Sequence, residues 1–151
     1  MKTKVVLDSC VFSKYFLEEP DSQQANALIQ NLLKNKIHIL VPHLWVYEVL
    51  STVSIANYPV MGVYQLIIKL QKSILHTVEL DMLCVNLVMD ICKTGHIKSG
   101  FPSFYDSSYH ALAILNDCYF ITADKRHFSK TEQLGNIVLL SDWEKVFCYE
   151  L

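Results

Sequence analysis

Apolar residues fall along this chain in two rhythms. Brief, near-continuous runs at Lys4–Leu7 (KVVL), Ile37–Val41 (IHILV), Tyr119–Thr122 (YFIT) and Ile137–Leu140 (IVLL) are rich in β-branched residues and read as strands. His76–Leu80 is expected as a further short strand, and Pro42 is expected to end the second one because proline cannot donate to a ladder. Elsewhere apolar positions recur at helical spacing. Ala25, Leu28, Ile29, Leu32 and Leu33 form one stripe, and Val63, Leu66, Ile67, Leu70 and Ile74 form another. A helix from about Leu44 to Ala56 is ended by the Asn57-Tyr58-Pro59 turn, Asp81 caps one running to Gly95, and Ser103 opens one reaching about Asn116. The stretch from Thr94 to Pro102 holds two of the four glycines and reads as a loop. Strands alternating with helices imply a three-layer α/β/α domain spanning residues 1–151. Its sheet is expected to be mainly parallel, of four to five strands, and covered on both faces.

Four acids interrupt this pattern where apolar residues would be expected: Asp8 after KVVL, Glu48 inside LWVYEVL, Asp106 in FYDSSYHALAI and Asp124 after CYFITA. A buried carboxylate costs on the order of several kcal/mol unless it is paired or binds a cation. Arg126 is the only arginine, so guanidinium partners for all four are lacking. In an open parallel sheet, ligand sites gather at the carboxyl ends of the strands. Asp8 and Asp124 both fall just past a strand, and Glu48 and Asp106 lie in the first turns of helices. The four therefore read as one divalent-cation site. Hard oxygen ligands suit Mg²⁺ or Mn²⁺, whereas zinc favours His and Cys at close spacing. His110 lies one turn beyond Asp106 but has no second histidine at matching spacing, and reads as a hydrogen-bonded helix residue.

Each acid also has a purely structural reading. Asp8 and Asp124 can be N-caps, the latter of a short TADKRHF turn, and Asp106 fits an S-x-x-D capping box with Ser103. Glu48 can sit on an exposed helix face. The set argues for more than its members because all four converge on one sheet edge.

Composition narrows the class. More than half the residues are apolar, which excludes a disordered chain. The formal charge of −2 includes the four acids, so the remainder is mildly basic, which permits a nucleic-acid partner without demanding one. The cysteines Cys10, Cys84, Cys92, Cys118 and Cys148 form no CxxC pair and are odd in number, so reduced thiols are expected. The start MKTKVVLDS is no signal peptide, and no apolar run approaches the roughly 20 residues of a membrane span. A cytoplasmic protein is expected.

VVLDSCVFSKYFLEEPDS, VPHLWVYEVL, YDSSYHALAI and FITADKRHF resemble, in order and spacing, the motifs of PIN-domain nucleases, and the first and third are most similar to VapC-type toxins of toxin–antitoxin pairs. The resemblance implies a Rossmann-like fold, Mg²⁺ or Mn²⁺ dependence and cleavage of single-stranded RNA. By motif position, Asp8, Glu48, Asp106 and Asp124 match the family's catalytic, metal-binding acids, and Thr122 the hydroxyl residue that often precedes the last of them. One position departs: two residues after the first aspartate the family usually carries serine, threonine or asparagine, and here stands Cys10. A thiol is a weak hydrogen-bond donor, so support of Asp8 is expected to be weaker. Ser9 is expected to point elsewhere. The resemblance also implies a small antitoxin partner and a homodimer, for which the Val63–Ile74 stripe offers a face.

Basic residues bracket the acids: Lys93, His96 and Lys98 before Asp106, and Lys125, Arg126, His127 and Lys130 after Asp124. Lys125 and Arg126 are the expected substrate contacts, with Lys14 a weaker one, and Phe104, Tyr105 and Phe128 can either stack on unpaired bases or pack in the core. Other small doubly wound folds fit less well. A receiver domain needs an additional acid pair near its first strand, and a haloacid-dehalogenase-type phosphatase needs an aspartate where Cys10 stands. A dinucleotide binder needs a glycine-rich first turn, yet Gly62, Gly95, Gly100 and Gly135 are scattered. The remaining alternatives are a catalytically silent PIN-like scaffold and a housekeeping RNA-processing nuclease.

Overall fold

The apolar runs become five parallel strands in a computed structural model that describes residues 2–147: β1 (Lys4–Leu7), β2 (His38–Pro42), β3 (Leu75–Val78), β4 (Tyr119–Thr122) and β5 (Ile137–Leu139). They lie side by side in the order β3-β2-β1-β4-β5, and every neighbouring pair is parallel. Cys148 lies outside the described residues. β1 is central, and its Val5, Val6 and Leu7 are wholly buried, as a strand covered on both faces must be. The register sets Val6 beside Leu40 on one side and Phe120 on the other. Pro42 does not stop β2 early. It takes the strand's last position, opposite Val78.

Eight helices cover the sheet: α1 (Ser9–Phe16), α2 (Ser22–Lys34), α3 (Trp45–Ile55), α4 (Val60–Gln71), α5 (Met82–Cys92), α6 (Phe104–Leu115), α7 (Lys125–Thr131) and the short α8 (Glu144–Phe147). The chain steps outward from β1 to β3 and then crosses back to β4. Right-handed crossovers accordingly place α1 to α4 over one face and α5 to α7 over the other. α6 packs against β1, β2 and β4, and α5 packs on α6 through Cys84, Val88, Ile91 and Ala111. On the other face Phe12 and Trp45 meet with ring centroids 4.8 Å apart.

One expectation is corrected here and another is narrowed. The segment TADKRHF, expected as a short turn, opens the two-turn helix α7, whose fully buried side chains, His127 and Thr131, are polar and leave no apolar rhythm. The stripe of α4 turns mostly inward, with only Leu66 of its members exposed. Val63, Ile67, Leu70 and the following Ile74 are consumed in the protein's own core, while Met61, Tyr64 and Leu66 point outward.

Candidate active site

Between β1 and β4 the strand order reverses, so the connections leaving these two strands diverge and open a crevice at their carboxyl ends. Asp8 follows β1 there and caps α1, with its Oδ1 accepting from the Cys10 N–H at 3.4 Å. Asp124 follows β4 and caps α7, with its Oδ1 accepting from the N–H groups of Arg126 (2.8 Å) and His127 (3.1 Å). Thr122 ties the two together: its hydroxyl donates to Asp8 Oδ2 at 2.5 Å and accepts from the Asp124 N–H at 2.9 Å.

From the helices come the other two acids. Glu48, in the first turn of α3, receives at Oε1 a 2.6 Å hydrogen bond from the hydroxyl of Tyr109. Asp106 sits in the first turn of α6, where Ser103 Oγ accepts its N–H at 3.0 Å and donates to its Oδ2 at 2.7 Å. This is a variant of the capping box in which the acid grips the cap hydroxyl rather than the cap N–H.

Charge and burial couple three of these groups, Asp8, Glu48 and Asp106, while Asp124 is joined to them through Thr122. Burial pushes the Asp8 carboxyl above its ordinary range, the Thr122 hydroxyl pulls it back, and the charge of Asp106 adds to the upward push. Glu48 is likewise raised by burial, lowered by Tyr109, and raised again by the charges of Asp8 and Asp106. Among the described residues none of the four acids forms an ion pair with lysine, arginine or histidine. Such a set is electrostatically incomplete without a cation, and its all-oxygen donors fit a hard divalent ion. As the side chains stand, no group of three or more His, Cys, Asp or Glu residues among those described is placed so that it could hold a metal ion. Each carboxylate is turned instead toward its hydroxyl or amide partner, as like charges would arrange themselves.

Two residues that the sequence reading passed over belong here. Ser9 points into the site rather than away from it, its hydroxyl donating to Asp8 Oδ1 at 3.3 Å and bearing on Glu48 and Tyr109 as well. Tyr109 has no role in the sequence reading; its ring is buried and stacked on Phe120 at 5.7 Å. Its position three residues after Asp106, on the same face of α6, was the available signal. The Cys10 thiol gives Asp8 only minor support, the last and smallest of the influences on that carboxyl. Because Thr122 gives its one proton to Asp8, the thiol is left to face Thr122 Oγ1 at 3.9 Å, and it accepts the Ala123 N–H at 3.4 Å. Burial, and then the Asp8 charge, push that thiol well up, so it stays protonated.

Behind the acids lies a buried histidine pair. His110 donates from Nε2 to the Gly135 carbonyl at 2.7 Å, and its ring meets His127 edge-on with centroids 5.6 Å apart. Neither His110 Nδ1 nor either ring nitrogen of His127 has a protein partner among the described residues. Desolvation holds His127 down to about 4, against the opposing pull of Asp106 and Asp124.

Of the basic and aromatic candidates, Lys125 and Arg126 are exposed at the start of α7, and Phe104 and Tyr105 are exposed beside Asp106. Phe128 packs on the core. Lys14 is occupied by the Pro20 carbonyl, Glu19 and Asp21, and Lys93 by Asp90, so neither is free for a substrate.

An α/β domain with acids gathered at the switch point of a five-stranded parallel sheet is the class that this geometry defines. The chain matches the PIN domain over residues 5–134, and it belongs to that family. Solved structures share the fold at low identity. VapBC2 from Rickettsia felis, bound to a promoter DNA fragment, is 17% identical, with 90% of this chain and 96% of that one covered and a TM-score of 0.64. FitAcB from Neisseria gonorrhoeae is 16% identical, covering 92% and 98%, also at 0.64. PAE2754 from Pyrobaculum aerophilum is 17% identical over 99% and 98%, at 0.62. No curated protein matches the chain. Among the described residues no helix is long and apolar enough to cross a membrane.

Proposed function

We propose that this protein is a metal-dependent endoribonuclease that cleaves single-stranded RNA and serves as the toxin of a toxin–antitoxin pair. The observation that carries the reading is the set of four carboxylates, Asp8, Glu48, Asp106 and Asp124, at the switch-point edge without a single cationic partner among the described residues. Asp8, Asp106 and Asp124 are the residues that would hold Mg²⁺ or Mn²⁺. A divalent ion bound there supplies a water of lowered pKa and neutralises charge developing on the phosphoryl oxygens. The chain's own part is positioning. Thr122 and Ser9 fix the rotamer of Asp8, and the amides of α7 fix Asp124. Tyr109 fixes Glu48, whose raised proton affinity suits a group that orients the attacking water and takes its proton. No protein nucleophile is required. Lys125 and Arg126 stand where they can grip the phosphate beside the cut.

The toxin role is supported by the resemblance to VapBC and FitAB assemblies, and it brings with it a small antitoxin that would cover the carboxylate crevice. A homodimer would use the outward residues of α4, Met61, Tyr64 and Leu66, rather than the buried stripe. Purified protein is expected to cut single-stranded RNA with Mn²⁺ or Mg²⁺ and to stop when chelator is added. Induced expression in bacterial cells is expected to arrest growth for the wild type and not for Asp106→Asn. Harmless expression of both would mark a housekeeping nuclease or a silent scaffold, and persistent cutting in chelator would end the metal reading.

A further inference from the structure

Beside the carboxylates, between the segment after α5 and the flank of α7, lies a cleft of about 440 Å³. That volume falls within the roughly 300–1,000 Å³ of sites that take small molecules. One wall comes from Thr94, Gly95, His96 and Ser99, and the other from Arg126, Ser129, Lys130 and Gln133. In the second wall Arg126, Ser129 and Lys130 share one face of α7, spaced three and four apart, and Gln133 follows from the 3-10 turn after it. The lining holds two permanent cations and a histidine, no acid and no large apolar side chain. Arg126, Lys130 and His96 have no ion-pair partner among the described residues.

The first wall is fixed in shape. His96 and Gly100 exchange both backbone hydrogen bonds, at 3.1 and 2.7 Å, which folds the loop back on itself. The fold is so close that a Cβ on Gly95 would stand 2.3 Å from the Gly100 carbonyl oxygen, so only glycine fits. Lys130 Nζ reaches across to the Phe101 carbonyl at 3.5 Å and joins the two walls.

Both walls lead into the acids. The helix wall begins at Asp124, its cap, and the loop wall runs through Phe101 and Pro102 to Ser103, the partner of Asp106. Along that path Phe101, Phe104 and Tyr105 are all exposed. A basic channel bordered by exposed aromatic rings is the pattern by which unpaired nucleic-acid strands are held. Arg126 and Lys130 lie one turn apart, about 6 Å along the helix axis, so they can serve successive points of a backbone. An acidic peptide would instead need apolar anchoring pockets, and this lining offers none.

We propose that this cleft is a backbone-phosphate subsite, in which Arg126, Lys130 and His96 hold the single strand flanking the cut while the exposed aromatics stack on its bases. The proposal rests on the ribonuclease reading and extends the grip from Arg126, next to the cut, outward along the strand to Lys130 and His96. Its test is binding of a fluorescein-labelled single-stranded RNA to the full chain in chelator, where nothing is cut, followed between about 50 and 200 mM salt. Arg126→Gln and Lys130→Gln are each expected to weaken binding roughly fivefold, the loss of one exposed ion contact. Each should also make the salt dependence shallower by about 0.7. Lys130→Arg should keep the wild-type slope, and Phe101→Ala should weaken binding without changing it.

Wild-type affinity and slope in both glutamine variants would overturn the subsite, and so would displacement of the RNA from the cleft by an oligoglutamate peptide, which would mark a dock for an acidic protein. If the wild type cuts RNA with Mn²⁺ while the glutamine variants bind normally, the subsite falls and the ribonuclease stands. If binding depends on the cleft but neither metal supports cutting, the subsite stands and the ribonuclease falls. No RNA binding at all would sink both.

Discussion

Asp8 and Glu48 are held by the hydroxyls of Thr122 and Tyr109 from other elements, with Ser9 beside Asp8, whereas Asp106 and Asp124 are held at the start of their own helices, by the Ser103 hydroxyl and by the Arg126 and His127 amides. The difference separates two kinds of acid in one site. Asp124 satisfies two otherwise orphaned amides of α7, and Ser103 and Asp106 close the first turn of α6, so the outer acids stabilise the fold whatever chemistry takes place beside them. The inner acids contribute little of this kind. The cap from Asp8 to Cys10 is long, at 3.4 Å, and both carboxyls are pushed up by burial and by their neighbours' charges. Carboxylates that cost folding energy and return little of it to the fold support the cation site proposed above.

The largest effect should come from the inner pair. Asp8→Asn is expected to lower RNA cleavage by roughly a thousandfold, the loss of several kcal/mol of charge stabilisation. Its melting temperature in chelator should equal or exceed that of the wild type, because a buried charge has been removed. Lower stability would mean that Asp8 is chiefly structural and would erase the contrast between the pairs.

Next comes acid sensitivity on the outer side, where His127 lies within the fields of Asp106 and Asp124. His127 is held to about 4 against an ordinary 6.5, so the unfolded chain takes up the proton first as pH falls. Stability should be full above about pH 6.5 and decline toward pH 4, by on the order of 3 kcal/mol. Burial lowers His110 in the same direction. Urea unfolding across this range measures the decline, and a flat profile would show that the pair is hydrated or already charged.

Tyr109→Phe removes the one hydroxyl that fixes Glu48 Oε1. Cleavage is expected to fall roughly tenfold, with about 1 kcal/mol of stability lost. An unchanged rate would remove Glu48 from the inner pair's work. The smallest effect separates cap from ligand at Asp124. Asparagine and alanine there should impair cleavage alike, but only alanine should cost about 1 kcal/mol in stability, since asparagine still caps a helix. Equal stability would show that the cap is dispensable.

How far this could be read in advance follows the same division. The five strands and the larger helices were legible because their buried faces are apolar: β1 as KVVL, α2 through Ala25, Leu28, Ile29 and Leu32. α7 was not legible as a helix, since the face it buries is His127 and Thr131. The direction of the α4 stripe also escaped, because an apolar stripe does not say whether it covers its own sheet or another molecule. The four acids could be located from their places after strands and in first helical turns. Not all of their partners could. Tyr109 beside Glu48 is a contact between segments that only the fold brings together, at a separation that no local pattern encodes, and the turn of Ser9 toward the neighbouring Asp8 depends on side-chain orientation rather than on spacing.

The pairing of β1 with β4 carries a consequence in time. Asp8 leaves the ribosome 114 residues ahead of Thr122, whose hydroxyl orients it. At synthesis rates of about 5–20 residues per second, the carboxylate waits several seconds for its partner strand. A nascent chain of this protein therefore holds Asp8 without its orienting hydroxyl until β4 has emerged.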